Sequence, residues 1–523
     1  MIRELLESLR AKDRRIGDLE HRLDQLLRRL YGPRSEKINP SQLALFQELI
    51  EQVAQEDPEP EDAPAEASGR PKRKGHGRRP LPEHLARKRV VHGVTAAERI
   101  CPCCGKEKTK IGEEISEQLE YQPPSLYVVE HVREKYACRD CEEGVTTADK
   151  PRQPIEKGLP GPGLLAQVIV SKYCDHIPLH RQEVIFRRHG VDLPRSTLCG
   201  WMGQAAALLT PLYDTAVGEV LCSRAIGTDD TPVDVQDPER KGLRKGRIWV
   251  YVGDENHPYI VYAYTANRSR DGPATFLGDY EGYLQADAFA GYDGIYAGEK
   301  IIEVLCWAHA RRKFYDAQTS DPARSLTALA YIRELYAVEG EAKELFAAQG
   351  GREGAEPFST LRLRLRGEKS LPILAKFEEW MRDQINGTGE GGIVLPKSPM
   401  GQAIDYCLSN WEALKRYTED GDLSIDNNAS ERALRGIAVG RKNWLFAGSD
   451  NGGRTAAVLY TLVASAKRHG LDPFAYLRDV IARISDHPAS QVAELLPDRW
   501  RPLPREQDPD APAPSVTAAP QES

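Results

Sequence analysis

The chain has 523 residues, of which 40% are hydrophobic and 28% charged, and a formal net charge of −7. That length allows about two to four domains, and the absence of any apolar run of about 18 residues argues against a membrane span. The charged start Met1-Ile2-Arg3-Glu4 lacks a signal-peptide core, and the 10 cysteines are not spaced as a secreted disulfide framework.

Residues 1–31 carry a seam of Ile2, Leu5, Leu9, Ile16, Leu19, Leu23, Leu26 and Leu30, broken only by Lys12. So narrow an apolar stripe predicts a coiled coil about 45 Å long, and with it a homo-oligomer. Gly32-Pro33 ends it. Residues 32–69 read as a short amphipathic helix followed by an acidic disordered linker. Residues 70–95 form a basic arm in which Arg73, Lys74, Arg78 and Arg79 are candidates for DNA phosphates, with Gly77-Arg78-Arg79-Pro80 resembling a minor-groove hook. In isolation a stretch of this kind reads first as a solvated linker; the segments that follow favour DNA.

Over 96–150, Cys101-Pro102-Cys103-Cys104-Gly105 and Cys138-Arg139-Asp140-Cys141 predict a zinc-binding module. Cys101, Cys104, Cys138 and Cys141 supply four thiolates for a closed tetrahedral site holding structural Zn²⁺, and Cys103 is a surplus competitor. Residues 158–218 read as a helix-turn-helix DNA-binding domain. Helices are expected at Leu164–Tyr173 and Leu179–Arg188, then a turn at Gly190 and a third helix led by Arg195, Ser196 and Thr197. Ordinary helical hairpins share this pattern.

From residue 224 the signals turn to strand. A strand through Thr228 leads into Asp229-Asp230-Thr231-Pro232, with strands at 247–253 and 259–264, a helix near 271–279, a strand ending in Asp287, a strand at 300–306, and a helix from Trp307. This is the order of a ribonuclease H-like sheet, whose first and fourth strands are neighbours, so Asp229 and Asp287 meet at one edge. In Asp426-Asn427-Asn428-Ala429-Ser430-Glu431-Arg432, the asparagines read as helix N-caps and Glu431 as the third acid. Alone, Glu431 beside Arg435 would be a surface ion pair, and Asp230 and Asp426 rival their neighbours. Three converging acids raise each other's pKa and are tolerable where cations bind; they suit two Mg²⁺ (or Mn²⁺) ions for in-line displacement at a DNA phosphodiester. His309, Arg312, Arg435, Arg441 and Lys442 are candidate DNA contacts. A helical insertion at about 316–420 interrupts the 219–482 catalytic domain, and 483–523 form a C-terminal helix and disordered tail.

The chain resembles the transposases of the insertion-sequence 66 family. The matching stretches are Tyr31-Gly32-Pro33-Arg34-Ser35-Glu36-Lys37, the cysteine knuckle, Ser171-Lys172-Tyr173, Pro178-Leu179-His180-Arg181-Gln182, Asp229-Asp230-Thr231-Pro232, Leu284-Gln285-Ala286-Asp287, Cys306-Trp307-Ala308-His309, the 426–432 segment, Arg441-Lys442-Asn443-Trp444-Leu445-Phe446 and Leu459-Tyr460. The resemblance implies an α/β multidomain protein: a ribonuclease H-like catalytic core with a helical insertion, preceded by coiled coil, zinc-binding module and helix-turn-helix. It implies a DDE transposase that binds terminal inverted repeats and target DNA, with Asp229, Asp287 and Glu431 as its three acids. The family usually has Asp-Glu-Thr where this chain has Asp229-Asp230-Thr231, which leaves Asp229 in the catalytic place. Small accessory proteins and a place in the bacterial cytoplasm at the nucleoid are further expectations. The alternatives are a catalytically inactive repressor that binds element ends, or a nuclease without strand transfer.

Overall fold

The computed structural model describes residues 153–502, except 157, 238–241, 299, 351–355 and 389–391. It also describes the single positions 126 and 128 and two short strands, β1 (Lys135–Ala137) and β2 (Val145–Thr147). The expected coiled coil, acidic linker, basic arm with Arg73, Lys74, Arg78 and Arg79, the four zinc-ligand cysteines and the tail from 503 lie outside the described residues. β1 and β2 pair antiparallel, Lys135 opposite Thr147, and flank the segment that carries Cys138 and Cys141.

Three helices follow: α1 (Pro162–Tyr173), α2 (Leu179–Arg188) and α3 (Arg195–Leu221). Proline at the first turn suits the start of α1, because an N–H there has no helical partner. Gly190, at φ +79°, takes the left-handed backbone that turns the chain after α2. α3 continues through Pro211 for 27 residues, about 40 Å.

A five-stranded sheet comes next: β3 (Ala225–Asp237), β4 (Gly242–Val252), β5 (Ile260–Thr265), β6 (Gly282–Ala286) and β7 (Ile301–Leu305), in the order β5-β4-β3-β6-β7. The first three strands are antiparallel; β6 and β7 join in parallel, with α4 (Asp271–Leu277) crossing between β5 and β6. The expected adjacency of the first and fourth strands is observed as the β3–β6 pair.

Beyond β7, α5 (Trp307–Ala317) leads into α6 (Pro322–Gln349), α7 (Phe358–Leu365), a π-helical turn at Arg366–Ser370, α8 (Leu371–Asn386) and α9 (Pro399–Ser409). The chain returns as α10 (Asn428–Trp444), α11 (Asp450–Arg468) and α12 (Pro473–Arg483). One core joins α1–α3, the sheet and α10–α12; a second, around Trp307, Phe314, Phe377 and Trp411, packs the inserted helices against β7. α1–α3 therefore share their core with the strands. Among the described residues no helix is long and apolar enough to cross a membrane.

Candidate active site

β3 and β6 run parallel from Ala225↔Tyr283 to Gly227↔Gln285. Extending that register by two residues sets Asp229 level with Asp287, the residue just past the end of β6. Contrary to expectation, Asp229 does not lie at a strand end, because β3 stays paired with β4 as far as Asp237. Pairing continues through Pro232, although proline cannot donate to a ladder. Its carbonyl points away from β4, toward Arg441, so its missing N–H falls on the side β6 has already left. Asp229 thus stands beside the carboxyl end of a parallel strand, where open α/β sheets commonly bind ligands.

α10 carries the third candidate acid, Glu431, and the asparagine ahead of it acts differently from the expected N-cap. Asn427 occupies the N-cap place but makes no side-chain capping bond. Its side chain is buried and bridges inward: Nδ2 donates to the Thr228 carbonyl at 2.7 Å and Oδ1 accepts from the Ser430 hydroxyl at 2.6 Å. Its backbone N–H reaches the Cys306 sulfur. The first turn of α10 is therefore tied to the strand residue next to Asp229. The contact needs glycine at 227, where a Cβ would lie 2.8 Å from Ser430 Oγ and 3.1 Å from Asn427 Oδ1. Gly227→Ala is expected to lose about 1–3 kcal/mol in urea unfolding by overpacking; an unchanged midpoint would refute this tight approach.

The electrostatics reflect the convergence. Burial first, then the charges of Asp287, Asp230 and Glu431, push Asp229 up to about 7 against the Asp230 N–H it accepts at 2.7 Å. Burial also raises Asp287, while the charges of His309 and Arg268 pull it back. Asp230 is not a free rival: its buried carboxylate is clamped by Arg247 at 2.9 Å and Arg268 at 2.8 Å. Asp426 is likewise engaged, accepting from Tyr336 of α6 at 2.9 Å and from the Asn428 side chain at 2.6 Å.

Two groups at the site depart from the expectation. His309, read as a phosphate contact, lies with Nε2 3.7 Å from Glu431 Oε1. Arg268, not among the expected site residues, stacks on Phe289 at 3.7 Å and reaches within 4.0 Å of Asp287 while holding Asp230. Nothing in its local sequence marks it; only the fold brings it back to the sheet edge.

The expected DNA contacts fall in several places. Arg195 and Ser196 are exposed and Thr197 half-buried at the leading end of α3; Arg312, Arg435 and Lys442 are exposed. The alternative Glu431–Arg435 surface ion pair is absent among the described residues. Arg441 turns inward, donating to Thr231 Oγ1 at 2.7 Å and the Pro232 carbonyl at 2.6 Å, so it fastens α10 to β3.

The hard carboxylate oxygens suit Mg²⁺, and an acid raised by burial and by its like-charged neighbours is relieved by a cation. Among the described residues no three His, Cys, Asp or Glu side chains form a ready metal-holding group.

Comparison with known sequences gives a consistent set of matches. Residues 157–455 match the profile described as the transposase IS66 family, and 461–497 match the IS66 C-terminal element. Residues 98–142 match the zinc-finger binding domain of transposase IS66, and 18–90 match the one described as transposase C of IS166 homeodomain. The uncharacterized protein y4hP of Sinorhizobium fredii is 35% identical over 515 residues, covering 92% of this chain and 88% of its own length. The uncharacterized protein y4qI of that organism is 35% identical over 514 residues, covering 94% and 90%. A third, y4jD, is 31% identical over 518 residues, covering 95% and 97%.

Proposed function

Because this chain belongs to the transposase IS66 family, we propose that it is a DDE transposase that cuts and joins DNA on a ribonuclease H-like core. What supports this is that Asp287 and Glu431 lie near enough to Asp229 for their charges to add to burial in pushing it up to about 7. The strand order β5-β4-β3-β6-β7, three antiparallel strands followed by two parallel ones, supports the core assignment.

Asp229, Asp287 and Glu431 would hold two Mg²⁺ (or Mn²⁺) ions. When bound, such a pair supplies the positive charge that activates a nucleophile and stabilises the leaving oxygen at a phosphodiester. The protein's own groups position the acids. Asn427 and Ser430 fix the first turn of α10, and so the direction of Glu431. His309 faces Glu431 from α5, and Arg268 holds Asp230 aside while standing next to Asp287. The basic arm, the zinc module and the leading end of α3 (Arg195, Ser196, Thr197), as a helix-turn-helix, are proposed to recognise the terminal inverted repeats. Arg312, Arg435 and Lys442 are proposed to follow the phosphates, and the coiled coil to join protomers so that two ends are held together. Accessory proteins of the element belong to the same proposal.

The test is incubation of the purified protein with labelled element ends and Mg²⁺. Joined products support strand transfer, nicks alone mean a nuclease, and binding alone means the repressor reading. For zinc, we expect about one Zn²⁺ per chain from the four-thiolate site and its loss in Cys138→Ser. A reduced, freshly purified protein with a ratio near zero would remove that site.

A further inference from the structure

α10 presents a second feature besides Glu431. Arg432, Arg435, Val439 and Lys442 are all exposed, at spacings of three, four and three residues, and so form one stripe along its outer face. Among the described residues none of its three cations has an ion pair or a hydrogen bond. The stripe ends in two large apolar side chains in solvent: Leu445 is 64% exposed and Phe446 43%.

These two are not on a loose loop. Leu445 has φ +65°, a backbone conformation that costs a leucine energy and that glycine adopts freely. The turn is clamped on both sides. The Leu445 N–H donates to the Arg441 carbonyl at 2.9 Å, and the Arg441 side chain is fixed to Thr231 and Pro232. Ala447 then bonds to β3 as a short extra strand, its N–H to the Asp234 carbonyl and its carbonyl to the Gln236 N–H. A strained, doubly fastened turn that holds a leucine and a phenylalanine in water, at the end of a row of unpaired cations, has the chemistry of a wedge for a base step.

We infer that the outer face of α10 is a track for duplex DNA, with Arg432, Arg435 and Lys442 on phosphates and Leu445-Phe446 inserted at a base step to unstack it. The inference deepens the transposase reading and rests on it. From Glu431 to Phe446 the helix and turn span about 22 Å, so the unstacked step lies about six to seven base pairs from the strand end held at the acids. Positive charge beside an apolar tip favours DNA over a second copy of the chain, because a like copy would set cation against cation.

The test uses full-length Glu431→Gln protein, which leaves the DNA intact, and a nicked duplex whose 3′-OH stands in for the cleaved strand. 2-Aminopurine is placed at successive positions around about six to seven base pairs from the nick. Binding is expected to raise fluorescence at one or two neighbouring positions there. Phe446→Ser should abolish the rise, as should Leu445→Gly, which keeps the turn conformation while removing the side chain. Replacing Arg432, Arg435 and Lys442 together by glutamine should flatten the dependence of log affinity on log salt by about 2.7, about 0.9 per phosphate lost. Flat fluorescence, a rise that survives Phe446→Ser, or an unaltered salt slope would overturn the inference. So would Phe446→Ser dissociating a protein oligomer with the DNA signals intact. Nicking by the unmutated protein is scored separately. Unstacking without any nicking refutes the transposase chemistry and leaves this surface standing, whereas nicking without unstacking refutes the surface alone.

Discussion

Asp229→Asn is expected to bind element ends normally, to nick them at least about 10³-fold more slowly, and to be more stable than the unmutated protein in EDTA at neutral pH. The rate loss follows from removing a carboxylate that holds ions contributing several kcal/mol at the reacting phosphate, at about 1.4 kcal/mol per tenfold. The gain in stability follows from the sign of the pKa shift. Burial and three like charges raise Asp229 from an ordinary carboxylate value to about 7 in the folded protein. Below the unfolded value of about 4 the group is protonated in both states and carries no penalty. Between there and about 7 the unfolded chain releases its proton and the folded one retains it, so stability falls as pH rises, reaching its floor above the folded value. At about 1.4 kcal/mol per tenfold change in proton affinity the ceiling is about 4 kcal/mol, and partial solvation reduces it to on the order of 1–2 kcal/mol. Asparagine cannot ionise and escapes the penalty. Thermal unfolding in EDTA at pH 5 and pH 8 checks this: the two proteins should differ little at the lower pH and separate at the higher. A variant that is less stable at pH 8 would show Asp229 to be a structural acid. Glu431→Gln should match the nicking loss with end binding nearly intact; undiminished nicking would remove Glu431 from the mechanism.

The second large effect lies away from the acids. Arg366 is fully buried in the π-helical turn between α7 and α8. It donates to both carboxylate oxygens of Glu339, at 2.7 and 2.9 Å, and to the carbonyls of Tyr417, Asp420 and Leu423. All five guanidinium N–H groups are thereby used, and the segment they hold runs directly into Asp426 and α10. Arg366→Ala would strand a buried carboxylate and three buried carbonyls, so a loss of about 3–5 kcal/mol in urea unfolding is expected. Arg366→Met combined with Glu339→Leu removes both charges and should recover much of it. A single variant within about 0.5 kcal/mol of the parent would show that the network is not structural.

Much of the sheet was legible because alternation and short apolar runs are local signals. The strands around Val250, Tyr262 and Leu284 emerged in the right order, and the β3–β6 neighbourhood followed from it. What local reading could not supply is what a residue meets across about two hundred positions. Asn427 has the composition of an N-cap, yet its amide serves Thr228 instead. Arg441 looks like one of a basic pair, yet its guanidinium is bound to Thr231, and Arg268 carries no local signal at all. Asp229 looked like a strand end because sequence does not say how far β3 stays paired with β4.

The bond from Asn427 to Thr228 also bears on when the protein becomes competent during its own synthesis. Its partners are separated by 199 residues, and the outer strand β5 waits longer still, its Tyr262 N–H capped by the Thr461 hydroxyl. A nascent chain can fold the inserted helices on local contacts, but it cannot bring the three acids together until most of the polypeptide has left the ribosome. A polypeptide truncated shortly after Glu431 would contain every acid and still lack α11, which covers β5. On the proposed function such fragments would be inert toward DNA cleavage, which would confine that chemistry to chains translated almost to completion.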